Sequence, residues 1–146
     1  MLNSGGGLGG VLRISAPLSF GVSHMSSAIS QFMHAHPDVR IDMDLSDKRV
    51  DLVAEGFDLA IRIGVLSDSS LIAKKISTVR NIPCASPDFV SRHPPFKKPE
   101  DLEQLPALVY SNEKTPNDWR YRGPDGKTGV LRVKPRLSAS NGDVLR

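Results

Sequence analysis

One cysteine, no long apolar run and no catalytic motif: each shortage narrows what this chain can be. Cys84 stands alone among 146 residues, so no intramolecular disulfide can form, which suits a reducing cytoplasm. Its thiol reads as a small buried hydrophobe ahead of a reactive group. No apolar stretch approaches the ~20 residues that cross a bilayer. The amino terminus lacks the basic segment and apolar core of a secretory signal, so a cytoplasmic location is expected. A GxSxG nucleophile elbow is absent, as are GxGxxG and GxxxxGK[ST] at a strand-to-helix turn. The histidines are His24, His34, His36 and His93. His34 and His36, two apart at a helix end, do not share a face, and no neighbouring cysteine or carboxylate completes a zinc spacing. No catalytic residue, metal ligand or cofactor is therefore assigned, and an enzyme is not expected.

What remains is an ordinary globular composition. The apolar share of 39% is slightly low for a folded domain but far from disordered. A domain of this size buries roughly two-thirds of its unfolded surface. The net charge of +3 divides unevenly: residues 1–73 carry 5 basic and 8 acidic groups, residues 74–146 carry 14 and 8. A basic half can attract nucleic acid or an anionic ligand. Here Arg120, Arg122, Lys127, Arg132, Lys134 and Arg136 are dispersed among apolar residues on expected strands, the pattern of a solvated sheet face.

Residues 1–10 are glycine-rich and aperiodic, and read as a flexible linker. Leu12 and Ile14 flank Arg13 in a first strand that ends at Ser15-Ala16-Pro17. Ser19 can cap a helix with apolar positions Val22, Met25, Ile29, Phe32 and Met33, ended by Pro37. Val39, Ile41, Met43 and Leu45 alternate strictly with polar residues, a half-buried strand. Arg49 to Glu55 reads as a short helix with Val50, Leu52 and Val53 as its apolar contacts, closed by Gly56 in the left-handed conformation. Phe57 to Ile63 suits a strand covered on both faces. The order β-α-β-α-β argues for a parallel sheet. Leu71 to Ala85 reads as extended crossover chain. Ser86-Pro87-Asp88 and Pro99-Glu100-Asp101 then open two further helices. Strands are expected at Ala107 to Tyr110, Trp119 to Arg122, Val130 to Lys134 and Leu137 to Ser140, the middle two joined over Gly123-Pro124-Asp125-Gly126. Asn141-Gly142-Asp143 begins a last helix.

Chemistry concentrates where strands give way to helices. Ser15 to Ser19, with Pro17 between, offers hydroxyls and N–H groups at a helix amino end, where an anion is favoured. Arg62 and Gly64 end the third strand at the same sheet edge, the edge at which open α/β sheets bind ligands. Ser86 and Asn141 to Asp143 occupy comparable junctions later on. The alternative reading is that the hydroxyls only cap helices and Arg62 pairs with a carboxylate such as Asp58.

The segments GVLRISAP (10–17), QFMHAHPDVRIDMDLSD (31–47) and RVDLVAEGFDLAIRIG (49–64), followed in order by SSLIAKKI (69–76), ASPDFV (85–90) and PEDLEQLPALVY (99–110), together resemble the effector-binding domain of LysR-type transcriptional regulators. The resemblance implies an α/β, periplasmic-binding-protein-like (type 2) domain of two Rossmann-like lobes, C-terminally incomplete in this chain. The first lobe with the crossover strand would occupy residues 11–86 and a partial second lobe 87–146. It implies a bacterial transcription factor's sensing module, with a small effector, an anion among the candidates, held between the lobes. Ser15, Pro17, Ser19, Arg62 and Gly64 would line one wall, Asn141 and Gly142 the opposite one. A homodimer or tetramer would form through the first lobe, using the helix from about Ser19 to His34 and the strand at Val39 to Leu45. DNA would be read only by a winged helix-turn-helix outside this stretch, and no membrane is involved. A solute-binding protein of a transport system is the alternative with the same fold.

Overall fold

In the computed structural model, which describes residues 8–48, 50–66 and 68–145, Leu12, Ile14 and Ala16 point to one face of β1 (Gly10–Ala16) and meet a helical layer. β1 is the middle strand of a parallel three-stranded sheet. β2 (Val39–Leu45) lies on one side, in register from Gly10 opposite Val39 to Ala16 opposite Leu45, and β3 (Leu59–Ala60) lies on the other. The expected linker falls mostly in residues 1–7, outside the described residues, as does Arg49 at the start of the expected second helix.

The first helix is continuous but changes gauge. α1 (Leu18–Phe20) passes into a π-helical turn over Gly21–Met25 and then into α2 (Ser26–Ala35). The wider turn adds a residue per bond, so Met25, five positions after Phe20, falls on the same face as Phe20 and Ile29. These three pack with Ile14 and Ala16, and with Leu12, Ile41, Met43, Leu45 and Ile61. Val22 and Met33, expected on the buried stripe, are 64% and 45% exposed. The regular 3.6 spacing misplaced Val22 because it carries no π turn.

The second expected helix is reduced to one turn. The Asp51 carboxylate accepts from the N–H groups of Val53 and Ala54, both at 3.1 Å, so the turn starts after Asp51. Val53 is 76% exposed, not an apolar contact. The turn's end is as expected. Gly56 has φ +69°, its N–H donates to Val53 O, and the Phe57 N–H donates to Leu52 O, the paired bonds of a Schellman motif. After it, β3 is shorter than Phe57 to Ile63 and is not covered on both faces, with Leu59 39% and Ile63 50% exposed. Among the described residues, helix packs on one face of this sheet only. The other face carries Arg13, Ser15, Asp42 and Asp44.

By contacts the described chain forms two units, residues 1–63 with 140–146, and residues 64–139. In the second unit, the described residues between 64 and 85 form neither helix nor strand. Cys84 is exposed there, its thiol 3.5 Å from Ile82 O, which corrects the buried expectation. Ser86 Oγ accepts from the Phe89 N–H at the start of α3 (Pro87–Ser91). Pro99–Gln104 is a 3-10 helix, where Asp101 accepts from the N–H groups of Lys97 and Lys98 at 2.9 and 3.2 Å. β4 (Pro106–Tyr110) pairs in parallel with β7 (Lys134–Ala139), and β5 (Asp118–Arg122) pairs antiparallel with β6 (Thr128–Arg132). Ala107, Val109, Leu131 and Val133 form its core, with Leu102, Trp119 and Tyr121 against them. No helix of the described residues is long and apolar enough to cross a membrane.

Candidate functional site

At the carboxyl edge of the parallel sheet the backbone of β1 stops at Ala16, and Pro17 (φ −61°, ψ 139°) turns the chain into α1. Proline suits that position because its φ matches the entry and it has no N–H to leave unpaired. The Pro17 carbonyl accepts from the Gly21 N–H at 2.8 Å, and the Ala16 carbonyl accepts from the Ser46 N–H at 2.9 Å. The ends of β1 and β2 are thus tied together beneath the turn. Gly21 lets the helix come down close on β2, since a Cβ there would overlap the Leu45 side chain.

Arg62 follows β3 at this same edge. Its Nη2 donates to Ser15 Oγ at 2.8 Å and its Nη1 to the carbonyl of Ile61 at 3.0 Å. Asp58, the alternative partner, is engaged elsewhere, its carboxylate accepting from the Arg13 N–H at 2.8 Å. Ser15 is fully buried. It therefore holds the guanidinium in place from beneath and does not itself face solvent. Burial pulls the Arg62 pKa below the usual arginine value, and the nearby carboxylates of Asp44 and Glu55 oppose that shift. A partly desolvated, pre-positioned guanidinium with donors to spare is a group suited to a carboxylate or phosphate.

The amino end of α1 is not open in the way the sequence suggests. Asp47, just past β2, places one carboxylate oxygen 3.0 Å from the Leu18 N–H. Its other oxygen accepts from Asn141 Nδ2 at 3.5 Å. Ser19 Oγ donates to Asp143 at 2.8 Å, and Asn141 Oδ1 accepts from the Asp143 N–H at 2.8 Å, capping the 3-10 turn Gly142–Leu145. Internal carboxylates thus stand where an external anion was anticipated. The structure places Ser15, Pro17, Ser19, Arg62, Asn141 and Gly142 in one unit, with Asn141 beside Asp47. Gly64 begins the other unit, exposed, with φ +135° and open space where a Cβ would stand. Ser86 belongs to the cap of α3.

Sequence reasoning passed over Asp47, and it placed Asp143 at a junction without its partner Ser19. The available signal was Asp47 directly after the most regular strand of the chain, level with the junction of β1 and α1. Arg13 was passed over too. It donates to the carbonyls of Glu55 and Gly56 at 2.9 and 3.0 Å and lies 5.2 Å from the centre of the Phe57 ring, so it braces the Schellman turn from the helix-free face.

Similarity to known proteins bears on what this edge serves. The LysR substrate binding domain family matches residues 5–146. An uncharacterized HTH-type transcriptional regulator of Haemophilus influenzae is 38% identical over 138 residues, which are 94% of this chain and 48% of that protein. The HTH-type transcriptional regulator DmlR of Escherichia coli is 36% identical, over 93% of this chain and 44% of the relative. The full-length structure of AphB, the Vibrio cholerae virulence activator of the LTTR family, superposes with a TM-score of 0.72 at 31% identity, covering 96% of this chain and 47% of that one. The chain spans about half the length of these relatives.

Proposed function

The chain belongs to the LysR substrate-binding domain family, and from that premise we propose that it is the ligand-sensing and oligomerisation module of a LysR-type DNA-binding transcriptional regulator. The fold is the periplasmic-binding-protein-like type 2 fold of that family. A small effector bearing an acidic group meets Arg62 and, through a difference in affinity between two arrangements of the domain, alters how a separate DNA-binding domain engages its operator. The observation that carries this reading is the Arg62–Ser15 bond, which holds a half-buried guanidinium at the carboxyl edge of a parallel sheet. Pro17 and Ser19 form the adjoining turn, Gly64 lets the chain leave the edge with positive φ, and Asn141 and Gly142 complete the surroundings.

The relatives are transcriptional regulators, which favours this role over solute transport. The protein acts in the cytoplasm without catalysis and without a cofactor, as a homodimer or tetramer through the first lobe, and touches DNA only through the separate domain. The lobes expected in sequence order, 11–86 and 87–146, differ in their bounds from the two compact units, to the first of which residues 140–146 return.

A thermal-shift screen of small organic acids against the full-length regulator tests the reading. At least one acid should raise the melting temperature of the wild type, and the shift should vanish in Arg62→Ala. A retained shift removes Arg62 from the site. A screen in which only uncharged compounds bind removes the acidic effector.

A further inference from the structure

The main chain leaves the first unit after Ile63 and returns to it at Ser140. Both passages are tied to the single junction between β1 and α1. On the way out, Arg62 bonds Ser15. On the way back, Asn141 bonds Asp47 and Asp143 bonds Ser19. Asp47 links the junction to the returning chain, because its two carboxylate oxygens serve different elements. One accepts from the amide of Leu18 at the amino end of α1, the other from the side chain of Asn141. The orientation of Asn141 is fixed independently, since its Oδ1 is already engaged by the Asp143 N–H. Its Nδ2 must therefore face Asp47.

We propose that Asp47 is a positioning residue that couples the Pro17–Ser19 turn to the returning segment Ser140–Leu145, so that a change at either is felt at the other. The chemistry follows from the bonds. A ligand drawing on the Leu18 N–H or the Ser19 hydroxyl competes with Asp47 and Asp143 for the same donors. Engaging the turn loosens the hold on residues 141–145, and fixing those residues holds the turn. The sensing role of the turn is the one proposed above, but the coupling is a property of the unliganded chain and can be measured without an effector.

The test is amide hydrogen exchange, read residue by residue by NMR on this 146-residue chain. Asn141→Asp keeps an acceptor for the Asp143 N–H but turns a carboxylate oxygen toward Asp47. It should speed exchange of the Leu18 amide, 123 positions away in sequence, by about tenfold, the size expected for losing one hydrogen bond. The amides of Ile14 to Ala16 in β1 should keep their wild-type rates. Asn141→Ala removes the donor without adding charge and should act in the same direction with a smaller effect. The reciprocal pair, Asp47→Asn with Asn141→Asp, restores one donor facing one acceptor and an acceptor for Leu18, and should bring the Leu18 rate back toward wild type. An unchanged Leu18 amide in both single variants overturns the proposal, as does failure of the reciprocal pair to slow it. Absence of any acidic effector in the thermal-shift screen would leave these rates, and the coupling, untouched.

Discussion

Arg62 and Ser15 show how much one contact changes the value of a residue. An arginine after a buried strand could be legible as a charge at a sheet edge, but its usefulness rests on the serine beneath it. Arg62→Ala leaves the Ser15 hydroxyl buried without this donor. The unliganded protein should lose about 1 kcal/mol, measured by urea unfolding; no loss would mean that the bond contributes nothing to the fold. Arg62→Lys retains charge but not the paired donors, and should keep less than the full effector shift. In the second unit, Asp101 is held below the usual carboxylate range by the N–H groups of Lys97 and Lys98. A carboxylate whose folded pKa is depressed stabilises the fold above its unfolded pKa and loses that contribution as pH falls through the folded value. Acidification from pH 6 to below about pH 4 should therefore lower the melting temperature of wild type more than that of Asp101→Asn. Equal slopes for the two would show that Asp101 is not part of the acid sensitivity.

At the scale of elements, the local signals that held are those with a short-range mechanism. Alternation marked β2 from Val39 to Leu45, Ser86 capped α3, and Gly56 closed the turn after Leu52. The left-handed conformation of Gly56 costs a Cβ-bearing residue roughly 1–2 kcal/mol, and a Cβ there would also crowd Arg13 Nη1 at 2.8 Å. Gly56→Ala should lower unfolding free energy by about that amount, seen as a reduced urea midpoint at unchanged slope. A variant as stable as wild type would mean that the Schellman geometry is not kept in solution. The signals that failed did so where neighbours outweighed pattern. The π turn rotated Val22 off the buried stripe, and the Asp51 carboxylate started its helix later than the apolar residues suggested. β3 shortened with no helical layer among the described residues over its second face.

At the scale of the whole molecule, the oligomer proposed above can be tested at the first lobe. β2 is an edge strand of its sheet among the described residues, and Val22 and Met33 lie exposed on the adjoining helix. An unpaired strand edge is a liability unless it is covered, and so is exposed apolar surface. If the first lobe dimerises there, Met33→Glu should move the sedimentation of the full-length regulator toward monomer with no change in the circular dichroism spectrum. An unchanged sedimentation coefficient would place the interface elsewhere.

The ordered segments that mark the LysR effector domain were written in the sequence, and so was short-range order: the strand alternation, the helix caps and the glycine that ends a turn. Those features depend on residues within one or two turns of each other, where spacing alone sets which groups can meet. The partners of the polar side chains were decided only in three dimensions. Arg62 finds Ser15 across 47 positions, Leu18 finds Asp47 across 29, Asn141 finds Asp47 across 94 and Ser19 finds Asp143 across 124. No spacing rule reaches so far, because such pairs are brought together by packing of the sheet and helix, not by the local geometry of the chain. The same edge was recognisable beforehand as a place for a ligand. That internal carboxylates already hold its helix amino end, and tie it to the returning chain, emerged only from the folded structure.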